Sequence, residues 1–161
     1  MEMPEPNQDV IRRSGELAKA LAAVLPPGAV LDREDQRRAY ESDGLTAYAQ
    51  MPMMVALPET TDQVSKVLAI CGSFGAKVVP RGAGTSLSGG ALPLADGVLL
   101  GMARFNRILD VDYANRCVVA QPGVTNLGIS DAVADRGFYY APDPSSQIAC
   151  TIGGNVAENA G

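Results

Sequence analysis

The sequence contains no histidine at all. That removes the side chain most often used as a general base near neutral pH and the commonest ligand of a catalytic metal. Cysteine is scarce: Cys71, Cys117 and Cys150 are the three in 161 residues. Odd in number, far apart and never in a Cys-x-x-Cys pair, they suggest neither a disulfide framework nor a zinc site. All three read as small buried or half-buried residues. No stretch approaches the about 18 consecutive apolar residues of a membrane-spanning helix. The opening MEMPEPNQDV is polar and acidic rather than a secretory signal, so a cytoplasmic chain is expected. Basic residues are also in short supply, with 13 Lys and Arg against 18 Asp and Glu. With no basic cluster to neutralise a phosphate backbone, nucleic acid is not an expected partner.

What is present fits one ordinary domain, long enough to bury a core. In SGELAKALAAVLPPG the apolar residues Leu17, Leu21, Val24 and Leu25 fall on one helical face, and Pro26 with Pro27 forbids continuation. The charged DREDQRRAYESDG reads as a short solvated surface helix. MPMMVALP has the pattern of a strand, and Thr60 with Gln63 stands in capping-box spacing ahead of a helix whose face is Val64, Val67, Leu68 and Cys71. Gly75 ends that helix and AKVVP returns as a strand. Further on, GVLLGM reads as a strand and ILDVDY and CVVAQP as a hairpin turning at ANR, so that one sheet continues through all three. TNLGISDAVADRG predicts a second helix between a Thr125 cap and Gly137. The remainder, FYYAPDPSSQIACTIGGNVAENAG, is dense in Pro, Gly, Ser and Asn and reads as loop. Strands mixed with helices and a hairpin, with no fixed-period repeat, give fold class α+β.

Two segments could carry chemistry. In PRGAGTSLSGG, Gly82 and Gly84 allow a sharp bend and a close approach of backbone to ligand, so that successive amides can converge on an anion, with Thr85, Ser86 and Ser88 adding hydroxyls. Taken alone, such a loop is better explained as a surface turn rich in small residues. Walker A is excluded, because no Lys followed by Ser or Thr closes the loop, and so is a Rossmann fingerprint, because the loop runs on into Pro93 and Gly97 rather than into a helix. The second segment, PDPSSQIACTIGGNVAENAG, again admits a plain turn. Two such loops in one domain nevertheless suggest the two walls of an elongated cleft.

The motifs PRGAGTSLSGGALP, QPGV and YYAPDPSSQIACTIGGNVAENAG resemble the FAD-binding (PCMH-type) domain of the vanillyl-alcohol oxidase superfamily, and most nearly that of the flavin (D) subunits of glycolate oxidases. The resemblance runs from about Met53 to Gly161 and makes residues 51–161 the FAD-binding domain, incomplete at its C-terminal end, with residues 1–50 a helical extension. It implies that Pro80, Arg81, Gly82, Ala83, Gly84, Thr85 and Ser86, with Gly89 and Gly90, form the pyrophosphate loop. Pro122 and Gly123 are then beside the flavin. Pro142, Asp143, Ser145, Thr151, Gly153, Gly154 and Asn155 line the pyrophosphate and isoalloxazine. Relatives with covalent flavin carry His where this sequence has Thr85, so the resemblance implies non-covalent FAD.

The implied activity is oxidation of a small 2-hydroxy acid, glycolate by resemblance, with hydride passing from its α-carbon to flavin N5. The implied partners are a second flavin-type subunit and an iron–sulfur subunit, with peripheral attachment to the inner membrane through them. No catalytic residue and no metal ligand is identified. The family's substrate-binding domain follows the flavin domain, so this chain by itself is expected to bind FAD poorly and to lack oxidase activity. D-lactate or another 2-hydroxy acid as substrate, an unrelated reduction, and a cofactor-free interaction module remain alternatives.

Overall fold

The computed structural model describes residues 3–160. Asn7 opens the first helix, its side-chain oxygen accepting from the amides of Asp9 and Val10, and helix α1 spans Gln8–Arg12. Helix α2, Ser14–Ala22, follows after a break at Arg13 and buries Leu17 and Leu21 completely. Strand β1, Val30–Leu31, then pairs antiparallel with β2, Met54–Ala56. Between them lie the four-residue helix α3, Glu34–Arg37, and a 3-10 turn, neither of which buries a residue. That is the solvated element expected from its charge.

Helix α4, Thr61–Phe74, begins where Thr60 Oγ1 accepts from the Gln63 amide at 3.2 Å. The Gln63 side chain reaches back to the Glu59 amide at 2.7 Å, one residue further than a reciprocal capping box requires. Gly75 closes the helix at φ 70°, in the left-handed region open to glycine. Strands β3, Lys77–Arg81, and β4, Gly97–Gly101, complete a four-stranded sheet of order β1-β2-β4-β3. β4 runs parallel to both of its neighbours. A parallel strand paired on both edges is expected to be uniformly apolar, and every residue of β4 is buried.

Both edges of β4 are therefore taken, and the hairpin that follows it does not pair with it. Strands β5, Ile108–Asp112, and β6, Cys117–Ala120, instead form a separate two-stranded sheet, which corrects the expectation of one continuous sheet. Cys117 on this hairpin is exposed, unlike the buried Cys71 and Cys150. Helix α5, Asn126–Val133, is capped by Thr125 and ends in a 3-10 turn closed by Gly137.

The other correction concerns the C-terminal segment, where Ile152–Glu158 is helix α6 rather than loop. Two glycines in its first turn disfavour a helix, but tertiary acceptors take up its orphan amides. Ile152 N–H donates to the Val124 carbonyl at 2.8 Å, Gly153 N–H to the Pro122 carbonyl at 2.9 Å, and Gly154 N–H to Thr151 Oγ1 at 3.4 Å.

Candidate functional site

A cleft of about 460 Å³ opens between the loop that follows β3, the end of β4 and helix α6. It thus lies off the carboxyl ends of two parallel strands, where α/β sheets gather their ligands. One wall is Pro80, Arg81, Gly82, Ala83, Gly84, Thr85, Ser86 and Gly90; the other is Pro122, Thr151, Gly153, Gly154 and Asn155. Thirteen of the residues singled out in the sequence are thereby brought together.

Five are not. Gly89, at φ 76°, serves a turn in which its carbonyl accepts from the Leu92 amide. Gly123 is buried against the carbonyls of Met102 and Phe105, which a side chain there would strike. Pro142 supplies a carbonyl that accepts from Asn126 Nδ2 at 3.0 Å, and Asp143 and Ser145 are exposed outside the lining. The cleft also takes in Met102, Ser146, Cys150 and Glu158. Met102 was detectable as the residue that follows a parallel strand. Glu158 comes onto the Asn155 face only because 152–158 is helical.

The first wall is an array of unused donors. Among the described residues, none of the amides of Gly82, Ala83, Gly84, Thr85 and Ser86 has a hydrogen-bond acceptor. Gly84 takes φ +73°, a conformation that reserves the position for glycine. A Cβ on Gly82 would strike Thr151 Oγ1, and one on Gly153 would lie 2.7 Å from Pro122 Cβ. Gly82 thus lets the first wall close on Thr151 of the second, while Gly153 packs on Pro122 within the second wall. In the second wall, Asn155 Nδ2 donates to Asn126 Oδ1 at 2.9 Å, while Asn155 Oδ1 is buried without a partner. A buried acceptor left unpaired costs about 1–3 kcal/mol, so this atom is suited to a donor arriving with a ligand.

The charges are unequal. Glu158 is the one carboxylate in the lining among the described residues, and Arg81 the one cation. Arg81 does not extend into the cleft to meet an anion, because its guanidinium donates to the carbonyls of Ala91, Tyr40 and Ser42. Burial pulls its pKa down from the ordinary arginine value, with the Asp43 carboxylate pushing the other way. No group of three or more His, Cys, Asp or Glu able to hold a metal occurs among the described residues.

A bent run of unpaired amides, positive φ at Gly84, two positions without room for a Cβ and an orphaned buried acceptor together fit an extended ligand carrying phosphate, as FAD does. Residues 52–161 match the model of the FAD binding domain family. The chain is 55% identical over 153 residues to a glycolate oxidase subunit GlcD of Escherichia coli K12, covering 95% of this chain and 30% of that one. It is 39% identical over 146 residues to the corresponding subunit of Bacillus subtilis, covering 91% of this chain and 31% of that one. The chain thus spans about a third of the length of these relatives. Among solved structures, p-cresol methylhydroxylase with substrate bound shares the fold at a TM-score of 0.80 and 20% identity, over 98% of this chain and 31% of that one. The α+β fold is accordingly shared with p-cresol methylhydroxylase, and this chain belongs to the FAD-binding domain family, with FAD as its cofactor.

Proposed function

We propose that this chain is the FAD-holding portion of an oxidoreductase that converts a small 2-hydroxy acid, glycolate foremost, to the corresponding 2-oxo acid. The observation that carries the reading is the 55% identity with a glycolate oxidase subunit, and the cleft gives it a physical basis. The free amides of Gly82 to Ser86 hold the pyrophosphate with neutral dipoles. Asn155 Oδ1 accepts from a donor of the cofactor, and the glycines at 82, 153 and 154 keep both walls low enough for close contact. When bound, FAD supplies the acceptor for the hydride that leaves the substrate's α-carbon. This chain's contribution is to bind and orient it. The base that takes the substrate's hydroxyl proton is assigned to another part of the protein, in keeping with a sequence that has no histidine.

The FAD-binding unit is taken as residues 51–161, buttressed by the helical segment before it. The partners are a second flavin-type subunit and an iron–sulfur subunit that carries electrons onward. The enzyme is placed in the cytoplasm, held to the inner membrane only through those partners; no helix among the described residues is long and apolar enough to cross a membrane.

The flavin is held without a covalent bond, since Thr85 offers no imidazole nitrogen to the ring methyl. Acid precipitation of the purified holoprotein is expected to release the yellow colour into the supernatant. Colour retained in the washed pellet would refute non-covalent attachment. Reduction of an artificial acceptor by glycolate, set against D-lactate and larger hydroxy acids, tests the substrate.

A further inference from the structure

The amides of the 82–86 loop are free, while one of its carbonyls is held from behind. Gly44 N–H donates to the Gly84 carbonyl at 2.7 Å. A Cβ on Gly44 would lie 2.8 Å from both the Thr85 and the Ser86 carbonyl oxygens, which are backbone atoms unable to swing aside. Arg81 fixes the same arrangement from below. Its Nη1 donates to the carbonyls of Tyr40 and Ser42, each at 3.0 Å. Its Nη2 donates to the Ala91 carbonyl at 2.5 Å, so that the guanidinium ties residues 40–42 to the far end of the glycine loop. Gly84 rests directly on that side chain, with the position of its missing Cβ 3.4 Å from Arg81 Cδ and 3.6 Å from Nε.

The guanidinium is buried, and no carboxylate lies within ion-pair distance of it among the described residues. Asp43 is the carboxylate that acts on it electrostatically. Its Oδ1 is engaged by the Leu45 amide and its Oδ2 is buried without a partner. A planar fork that bonds three carbonyls at once is a rigid spacer, and lysine cannot reproduce it.

We propose that residues 40–44, which lie outside the 52–161 stretch shared with the FAD-binding family, brace the glycine loop through Gly44 and Arg81 and so set its affinity for the pyrophosphate of FAD. The inference rests on the reading of 82–86 as the pyrophosphate loop. Gly44 and Arg81 are positioning residues: they need not touch the cofactor, and they orient five amides that do. The segment carries a function that its charged, solvated sequence conceals.

The test compares Gly44→Ala, Arg81→Lys and, as a reference for the loop itself, Gly84→Val. The apo form of the whole oxidoreductase is titrated with FAD and separately with riboflavin, which lacks the pyrophosphate, and the apo melting temperature is recorded. Gly44→Ala and Arg81→Lys are each expected to raise the Kd for FAD at least tenfold, while riboflavin affinity stays within about twofold and the melting temperature falls by only a few degrees. A merely structural defect would weaken both ligands together and lower the melting temperature in step, and that result would overturn the brace. Wild-type FAD affinity in both brace variants, with Gly84→Val impaired, overturns the brace and leaves the loop reading standing. Wild-type affinity in Gly84→Val removes the loop reading and the brace with it. Should Gly44→Ala fail to fold, Arg81→Lys decides, since it keeps the charge and alters only the fork.

Discussion

Residues 3–102 and residues 103–160 are built from similar elements and packed very differently. The main core cluster, from Val10 and Leu17 to Leu99 and Leu100, lies wholly in the first part. The second buries Phe105, Val124, Ile129, Val133 and Cys150 but leaves Tyr139 at 76%, Ile148 at 82% and Val156 at 78% exposure. Its apolar groove of about 260 Å³, between the hairpin, α5 and residues 138–140, is open. In the first part, helices α2 and α4 pack on the mixed sheet and most of the apolar surface is buried, Leu68 and Leu87 excepted. In the second, caps and turns define the elements while little holds them by burial. The cleft proposed for the cofactor runs along the boundary, one wall on each part.

The sharpest test of this contrast is Leu99→Ala in β4, at a completely buried position. It is expected to cost about 2–5 kcal/mol by urea denaturation, since the cavity is walled by neighbouring strands and cannot collapse. A cost below about 1 kcal/mol would mean that the first part is not the rigid one. Next in size is Gly84→Val, which forces a β-branched residue into φ +73°. FAD affinity should fall about a hundredfold, equivalent to about 2.7 kcal/mol, with a smaller change in apo stability. Unchanged flavin binding would place the phosphate elsewhere.

A third change probes the seam at the start of the sheet. Asp96 accepts from the Asn7 amide at 2.9 Å and pairs with Lys77 at 2.9 Å, tying α1 to β3 and β4. Burial raises its pKa, but these bonds outweigh it and hold the carboxyl below its ordinary 3.8. A carboxyl depressed in the folded state adds stability that is full above its unfolded pKa and is lost as pH falls through the folded one. Asp96→Asn should therefore cost about 1–3 kcal/mol at neutral pH, and the gap to wild type should narrow as the pH drops below 3.8. A gap independent of pH would assign the cost to packing instead. The smallest effect belongs to the second part: Val119→Thr, at 53% exposure on β6, should move stability by no more than about 0.5 kcal/mol. A loss comparable to that of Leu99→Ala would erase the contrast between the two regions.

The same division decides what could be read from sequence. Strands β2, β3 and β4 were legible as apolar runs fenced by Pro and Gly, and α4 by its Thr60 cap and Gly75, because local chemistry and burial agree there. The hairpin was legible as a hairpin but not as a separate sheet, because that depends on β3 having taken the far edge of β4, a fact about strands 20 residues apart. Helix α6 was hidden since its glycines argue against a helix, and the carbonyls of Pro122 and Val124 that rescue it lie about 30 residues upstream. In the cleft, the glycines spoke for themselves through φ and close approach. Arg81 did not: the resemblance put it in the pyrophosphate loop, and only the carbonyls of Tyr40, Ser42 and Ala91 reveal that its guanidinium faces the protein.

The strand order has a consequence in time. β2 and β3 follow one another in the chain yet never touch, because β4, the last of the four to be made, lies between them. A chain leaving the ribosome must therefore carry β2, α4 and β3 with two sheet edges open until residues 97–101 emerge. At about 5–20 residues per second, the 15 residues between Arg81 and Gly97 hold that state open for roughly one to three seconds. The loop proposed to hold the cofactor is thus also the delay line of the sheet. Lengthening it would prolong the interval in which two apolar strands are available to the wrong partner.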